Sequence, residues 1–253
     1  MSQAEKPFGA DLPPWPELDF TPFGETEVKP LPRLQKFVSA VMARNWVNIP
    51  HVTHHDEADI TQLDSLRQTL NKENPQDKVT PLAFFMKAVV RALQAYPQFN
   101  ASLDLANNSM IYKKYFNIGI AVDTPGGLMV PVIRDCDSKR VLDISREIAA
   151  VSQKARTKGL PISEMSGGCI SISSLGGIGG TAFTPIVNAP ELAILGVTKS
   201  RWVPLRGADD GIDWRLMAPL DLSYDHRAIN GADAARFMVA IAAALAEPEH
   251  LLA

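Results

Sequence analysis

Between Arg33 and Trp46 the apolar residues Leu34, Phe37, Val38, Val41 and Met42 recur every three or four positions, the spacing that lines one face of an α-helix. The run "IPHVTHHDEADI" at 49–60 loses that period and reads as a strand. Asp59, with Gln62 three residues on, then forms a capping-box pattern, and Ile60, Leu63, Leu66 and Leu70 share one face of a second helix. A third opens at Thr80, a natural N-cap, with Pro81 at the first helical position, where its missing N–H costs nothing. Being apolar nearly all round, it is predicted to be buried. Residues 110–135 give two β-rich runs joined by "DTPGG" in a hairpin-like connection. A helix over 141–157 carries basic residues near its C-terminal end, where the helix dipole favours them. The segments "GGCISISSLGGIGG", "ELAILGVTKSRWV" and "RLMAPLDLSYDH" read as strands, and 231–247 as a closing helix. Helices and strands mix without a regular βαβ alternation, so the pattern predicts an α+β sandwich.

The 253 residues, 46% of them hydrophobic, suffice for one large domain or two small ones with a sizeable core. The first 32 hold seven of the 19 prolines, which excludes a regular helix and predicts an extended arm (1–32) ahead of the main domain (33–253). Its aromatics Trp15, Phe20 and Phe23 are expected to lie on that domain. A net charge of −3, from interspersed acidic and basic residues, provides no basic stripe for nucleic acid or anionic lipid, so neither is an expected partner. Cys136 and Cys169 form no C-x-x-C pair, which argues against a disulfide framework or zinc knuckle and suits a reducing, cytoplasmic setting. The longest apolar run, "FMVAIAAALA", has ten residues, half of what a spanning helix needs, and the expectation is a soluble, non-secreted protein.

Three histidines, His51, His54 and His55, stand beside Asp56, but on a strand His54 and Asp56 face away from His51 and His55, so no metal site is expected. The glycines Gly176, Gly177, Gly179 and Gly180 fit neither phosphate-loop pattern and read as a loop allowing close backbone approach. Ser174, just before them, reads on its own as a structural hydroxyl. His226 lies between an apolar strand and a buried-looking helix, and its local context leaves structural and functional roles equally open. No G-x-S-x-G elbow accompanies it, which leaves a lone base acting on a substrate's own nucleophile as the available chemistry.

"DHRAING" at 225–231 resembles the His-Arg-x-x-Asp-Gly signature of the 2-oxo acid dehydrogenase acyltransferases, and "SGGCISISSLGGIGGTAFTPIVNAPELAILGV" at 166–197 is similar to that family's other strong segment. The similarity extends through "NIPHVTHHDEADIT" and "KKYFNIGIAVDTPGGLMVPVI", from about residue 10 onward. The run 183–191 is most similar to the dihydrolipoamide acetyltransferase branch found in pyruvate dehydrogenase complexes. The resemblance implies a chloramphenicol acetyltransferase-like two-layer α+β sandwich with a mixed sheet. It also implies trimers with each active site at a subunit interface, forming a multienzyme core linked to glycolysis. The implied reaction moves an acetyl group between dihydrolipoamide and coenzyme A, both substrates, with no metal. Expected partners are the pyruvate dehydrogenase and dihydrolipoamide dehydrogenase components.

The same resemblance implies that His226 is the base for the substrate thiol and that Ser174 stabilises the oxyanion. Leu128, Phe183 and Asn188 are expected along the coenzyme A or lipoamide channel. Asn230 stands where most members carry aspartate; asparagine also occurs there in acetyltransferases of the family, and it would orient groups by hydrogen bonding without acting as a second base. The chain begins with the proline-rich arm, with no lipoyl or peripheral-subunit-binding domain ahead of it, so either it is an excised core or the lipoyl group arrives on another chain. The final "PEHLLA" keeps two leucines for the trimer–trimer contacts made at that end in relatives. Two competing readings remain open: a scaffold with weak or lost catalysis, and an O-acetyltransferase of the chloramphenicol type.

Overall fold

The structure, a computed structural model, describes residues 16–252; Trp15 lies outside them. Five helices, α1 (Arg33–Asn48), α2 (Thr61–Glu73), α3 (Pro81–Ala95), α4 (Val141–Lys158) and α5 (Gly231–Ala246), follow the apolar periodicities closely. The strands are β1 (His51–Asp59), β2 (Ala101–Asp104), β3 (Ser109–Tyr112), β4 (Ile118–Ile120), β5 (Val122–Thr124), β6 (Gly127–Met129), β7 (Val132–Ile133), β8 (Ile170–Ser174), β9 (Ala193–Val197), β10 (Arg201–Arg206) and β11 (Ile212–Asp225). A seven-stranded sheet runs β1-β11-β9-β8-β4-β7, with β10 hairpinned onto β11, while β2–β3 and β5–β6 form separate hairpins. The β4–β8 and β8–β9 pairs are parallel and the rest antiparallel, so the sheet is mixed.

Strand β11 is the spine. Its residues Leu220, Leu222 and Tyr224 point to one face with Ile172 and Leu195 nearby, and this face packs on α3 and α5 in a single apolar core. Helix α3 is buried nearly throughout, as its composition predicts, and Phe99 stacks on Phe237 of α5 with ring centroids 4.0 Å apart. The opposite face of β11 presents Asp221, Ser223 and Asp225, and these are buried too, beneath the loop segment 183–191. Burial of a polar strand face requires partners, and β1 supplies them: Thr53 meets Ser223 at 2.8 Å and His55 meets Asp221 at 2.5 Å.

Several expectations are corrected. Strand β1 runs through Asp59, whose Oδ1 accepts from the Thr61 N–H (2.9 Å) and hydroxyl (2.5 Å), so the turn into α2 is an Asx-type turn and not a capping box with Gln62. Thr80 occupies the N-cap of α3 without a side-chain capping bond. In the arm, Phe20 and Phe23 are 58% and 86% exposed, so within one chain they do not lie on the domain; the only regular element among the described residues there is a 3-10 turn over Thr21–Phe23. Of the two terminal leucines, Leu251 is spent in the chain's own core and Leu252 packs against it while half-buried, which leaves only part of Leu252 for outward contact.

Candidate active site

Strand β11 ends at Asp225 and α5 begins at Gly231, so His226 stands on the short connection between them. That connection is pinned by the buried Asp225 carboxylate. The Arg227 guanidinium grips it at 2.9 Å (Nε) and 2.6 Å (Nη2), and the Arg227 backbone N–H adds a bond at 3.0 Å. The Asp225 carbonyl accepts from Ala228 and Ile229, and the His226 N–H donates to the Pro50 carbonyl at 3.1 Å. Held by its backbone, the His226 ring is exposed and leans 5.8 Å from the Tyr224 ring. Asn230 is the N-cap of α5: its Oδ1 accepts from the Asp233 N–H at 3.0 Å. Its side-chain oxygen thus already serves the helix, and its amide nitrogen, without a hydrogen bond among the described residues, is open to orient other groups.

Ser174 closes β8 at the other end of the sheet, exposed, where the chain enters the glycine loop. The loop is tied back by the Leu175 N–H to the Val197 carbonyl at 2.8 Å. Gly180, at φ +90°, is in a conformation that side-chain-bearing residues rarely adopt. Phe183 is half-buried; its N–H donates to Asp221 Oδ2 at 3.2 Å, and its ring fills the space above Gly196, where an added Cβ would lie 2.6 Å from the ring.

The register shows how far apart these groups are. Ser174 pairs with Val197 and Val197 with Leu220, whereas His226 lies six residues farther along the chain, just past the end of that strand. At ~3.3 Å per residue the two sit on the order of 20 Å apart in one chain. Phe183 lies toward the Ser174 end, since Gly196 pairs with Ser173. Asn188 lies toward the His226 end: its carbonyl accepts from the Glu191 N–H, and the adjoining Leu192 carbonyl accepts from the Asp225 N–H. Leu128, half exposed on the β5–β6 hairpin, pairs with Asp123 and is brought next to none of the others within the chain.

The residues not anticipated from the sequence are the buried polar ones beneath these groups. Glu191 is buried with Oε2 lacking a protein partner, and burial pushes its carboxyl up to about 7, against the opposing pull of Ser171, Lys113 and Asn188. His51 accepts the Val187 N–H at Nε2 (3.0 Å) and meets the Ile49 carbonyl at Nδ1 (2.8 Å); burial lowers its pKa. Both of its nitrogens are thereby occupied. Among the described residues no cluster of three or more His, Cys, Asp or Glu side chains is placed to hold a metal ion.

A family model described as 2-oxoacid dehydrogenases acyltransferase (catalytic domain) matches residues 23–253. The chain is 55% identical over 245 residues to the dihydrolipoyllysine-residue acetyltransferase component of the pyruvate dehydrogenase complex of Cupriavidus necator, covering 95% of this chain and 43% of that one. The corresponding Haemophilus influenzae component is 50% identical over 248 residues, covering 96% and 44%. The chain thus spans less than half the length of these relatives. Among solved structures, the dihydrolipoamide acetyltransferase of Azotobacter vinelandii matches with a TM-score of 0.91 and 47% identity over 96% of this chain and 100% of that one. In that enzyme a serine, a histidine and an asparagine have been studied for their role in the catalytic mechanism, and they are spaced along its chain as Ser174, His226 and Asn230 are here. The cubic core of a pyruvate dehydrogenase multienzyme complex matches equally, at a TM-score of 0.91. Chloramphenicol acetyltransferase, 14% identical with a TM-score of 0.54 over 81% of this chain and 94% of that one, shares the fold.

Proposed function

The chain belongs to the 2-oxoacid dehydrogenase acyltransferase family, and from that premise we propose that it transfers an acetyl group between dihydrolipoamide and coenzyme A at sites built between two copies of itself. The observation that carries this reading is the separation of Ser174 and His226 by about six residues' length of the sheet, roughly 20 Å, with both side chains exposed. Two such half-sites become one site only when the Ser174 end of one copy meets the His226 end of another. A cyclic trimer repeats that contact three times and closes, and the trimers would build the core of a pyruvate dehydrogenase-type complex with its dehydrogenase components. We place residues 33–253 as the catalytic unit, 1–32 as its arm, and the protein in the cytoplasm.

A substrate thiol, with a pKa of ~8.5, is only a few per cent ionised at neutral pH, while an imidazole near ~6.5 is free to take its proton. His226 removes the S–H proton as sulfur attacks the thioester carbonyl. The tetrahedral intermediate's oxygen takes up negative charge and accepts a hydrogen bond from the Ser174 hydroxyl, a contribution of ~2.7–4 kcal/mol for comparable donors. Collapse expels the second thiolate, which recovers the proton from the imidazolium. The amide nitrogen of Asn230 is open to orient partners beside the base, and Leu128, Phe183 and Asn188 line the approach.

The test mixes two inactive chains. His226→Ala and Ser174→Ala are each expected to lose acetyl transfer from acetyl-CoA to free dihydrolipoamide. Co-expressed and co-assembled, they form some sites with an intact serine from one copy and an intact histidine from the other, about a quarter of all sites for random cyclic trimers. Recovery near that level supports the reading, and none at all in mixed oligomers of confirmed composition refutes it. Replacing the thiol acceptor by a hydroxyl in the same assay separates this reaction from O-acetylation.

A further inference from the structure

The segment Phe183–Glu191 is a strap lying across the polar face of the sheet, from the Ser174 end to the His226 end. Side chains beneath it hold its backbone: the Phe183 N–H by Asp221, the Val187 carbonyl by Asn45 Nδ2 (3.1 Å), and the Pro190 carbonyl by the Ser102 hydroxyl (2.6 Å). Val187, fully buried with Ile49 and Ile194, is held on its N–H by His51. The partners of His51 dictate its protonation. The Ile49 carbonyl can only accept, so Nδ1 carries the hydrogen; the Val187 N–H can only donate, so Nε2 does not. A second proton on the ring would set two N–H groups against each other at Val187. The ring also stacks on Trp46, with centroids 5.5 Å apart and planes 23° from parallel. On its strand His51 pairs with Asp225, the residue before His226, and the neighbouring Pro50 carbonyl receives the His226 N–H.

We propose that His51 is a positioning residue for the acyl-transfer site: as the neutral Nδ1–H tautomer it fastens the strap to the strand end that carries His226, and so sets where Val187 and Asn188 stand beside that base. The catalytic part of this statement rests on the function proposed above; the latch itself does not. His51 touches no reacting atom and acts only through the strap and the turn.

Two variants of the assembled protein separate the latch from mere packing. His51→Gln keeps an oxygen able to accept the Val187 N–H, whereas His51→Leu fills a similar space without one. In His51→Leu, backbone hydrogen exchange over residues 184–190 is expected to rise about tenfold or more while β9 stays protected. The KM for at least one thiol substrate is expected to rise about tenfold with kcat falling less than about threefold, the pattern of lost binding and not of lost chemistry. His51→Gln is expected within about threefold of wild type in both. Unchanged strap exchange in His51→Leu overturns the latch, and so does a glutamine variant no better than leucine. A loosened strap with unaltered kinetics overturns the positioning role. Should the leucine variant fail to assemble, solid-state nitrogen NMR of the wild-type assembly reads the tautomer directly, and a His51 proton on Nε2 refutes the proposal. A wild type that transfers no acetyl group would sink the proposed function instead, and calorimetric binding of coenzyme A to wild type and variants would still decide the positioning role.

Discussion

Glu191 is a carboxyl in a place that does not suit its charge: buried, with Oε2 unpartnered among protein groups and Gly168 leaving just enough room for Oε1. Its folded pKa of about 7 lies above the ordinary 4.5, so folding favours the protonated form. Below pH ~4.5 the group is neutral in both states and costs nothing extra. Between there and about 7 the unfolded chain ionises first, so stability falls as pH rises and then levels off. The loss is on the order of 3 kcal/mol, since each tenfold change in proton affinity is worth ~1.36 kcal/mol. Glu191→Gln is expected to be the more stable protein at pH 8, with the gap closing by pH 5, as read by denaturant unfolding at both values; an equal gap at both would refute the raised pKa. The sequence carried part of this level openly. His226 and Ser174 stood out through the family resemblance, but Asp221 and Asp225 did not, because polar residues alternating with apolar ones along a strand read as a solvent face, and His51 was noticed only within a histidine group unsuited to a metal. The available signal was complementary: His51, Thr53 and His55 on one strand match Asp225, Ser223 and Asp221 on its neighbour, residue for residue.

Among the elements, the helices were the most legible because each needs an apolar stripe every three to four residues: α1, α4 and α5 begin and end within a few residues of their predicted bounds, and α3 begins where its Thr-Pro signal puts it. The turn before α2 was misread because Asp59 serves Thr61 as readily as a capping box, and only the strand register, which keeps Asp59 in β1, decides between them. The short strands β3 to β7 were legible only as a region, since two- to four-residue strands carry too few alternations to set their limits. Asn230 belongs to this scale, because its side chain starts α5. Asn230→Ala is expected to cost about 1 kcal/mol through the lost cap, while Asn230→Asp, an equally good cap, should leave stability unchanged. Denaturant midpoints check both. If the aspartate variant also keeps its turnover, the departure from the family's usual aspartate is neutral; if its turnover changes at constant stability, the amide nitrogen of Asn230 contributes beside His226.

At the scale of the whole molecule, the proposed reaction needs more than one chain. The two chemical ends of one chain lie a strand's length apart, and its surface carries apolar area with nothing from the described residues of the same chain to cover it. On the β10–β11 hairpin, Trp202 pairs with Leu216 and Pro204 with Trp214, so both tryptophans share one face, each more than half exposed. Exposed apolar faces of this kind mark association sites, and a second copy of the chain is the occupant that would also bring Ser174 to His226. A charge placed there tests both ideas at once. Trp214→Glu costs the isolated fold little, because that side chain is already largely solvated, yet it puts a carboxylate where an apolar partner surface must pack. The expected result is a folded, smaller species by sedimentation, with a wild-type far-UV spectrum and acetyl transfer reduced in proportion to the oligomer lost. A monomer that retained full activity would mean that Ser174 and His226 do not need each other, and the two-copy site would have to be abandoned.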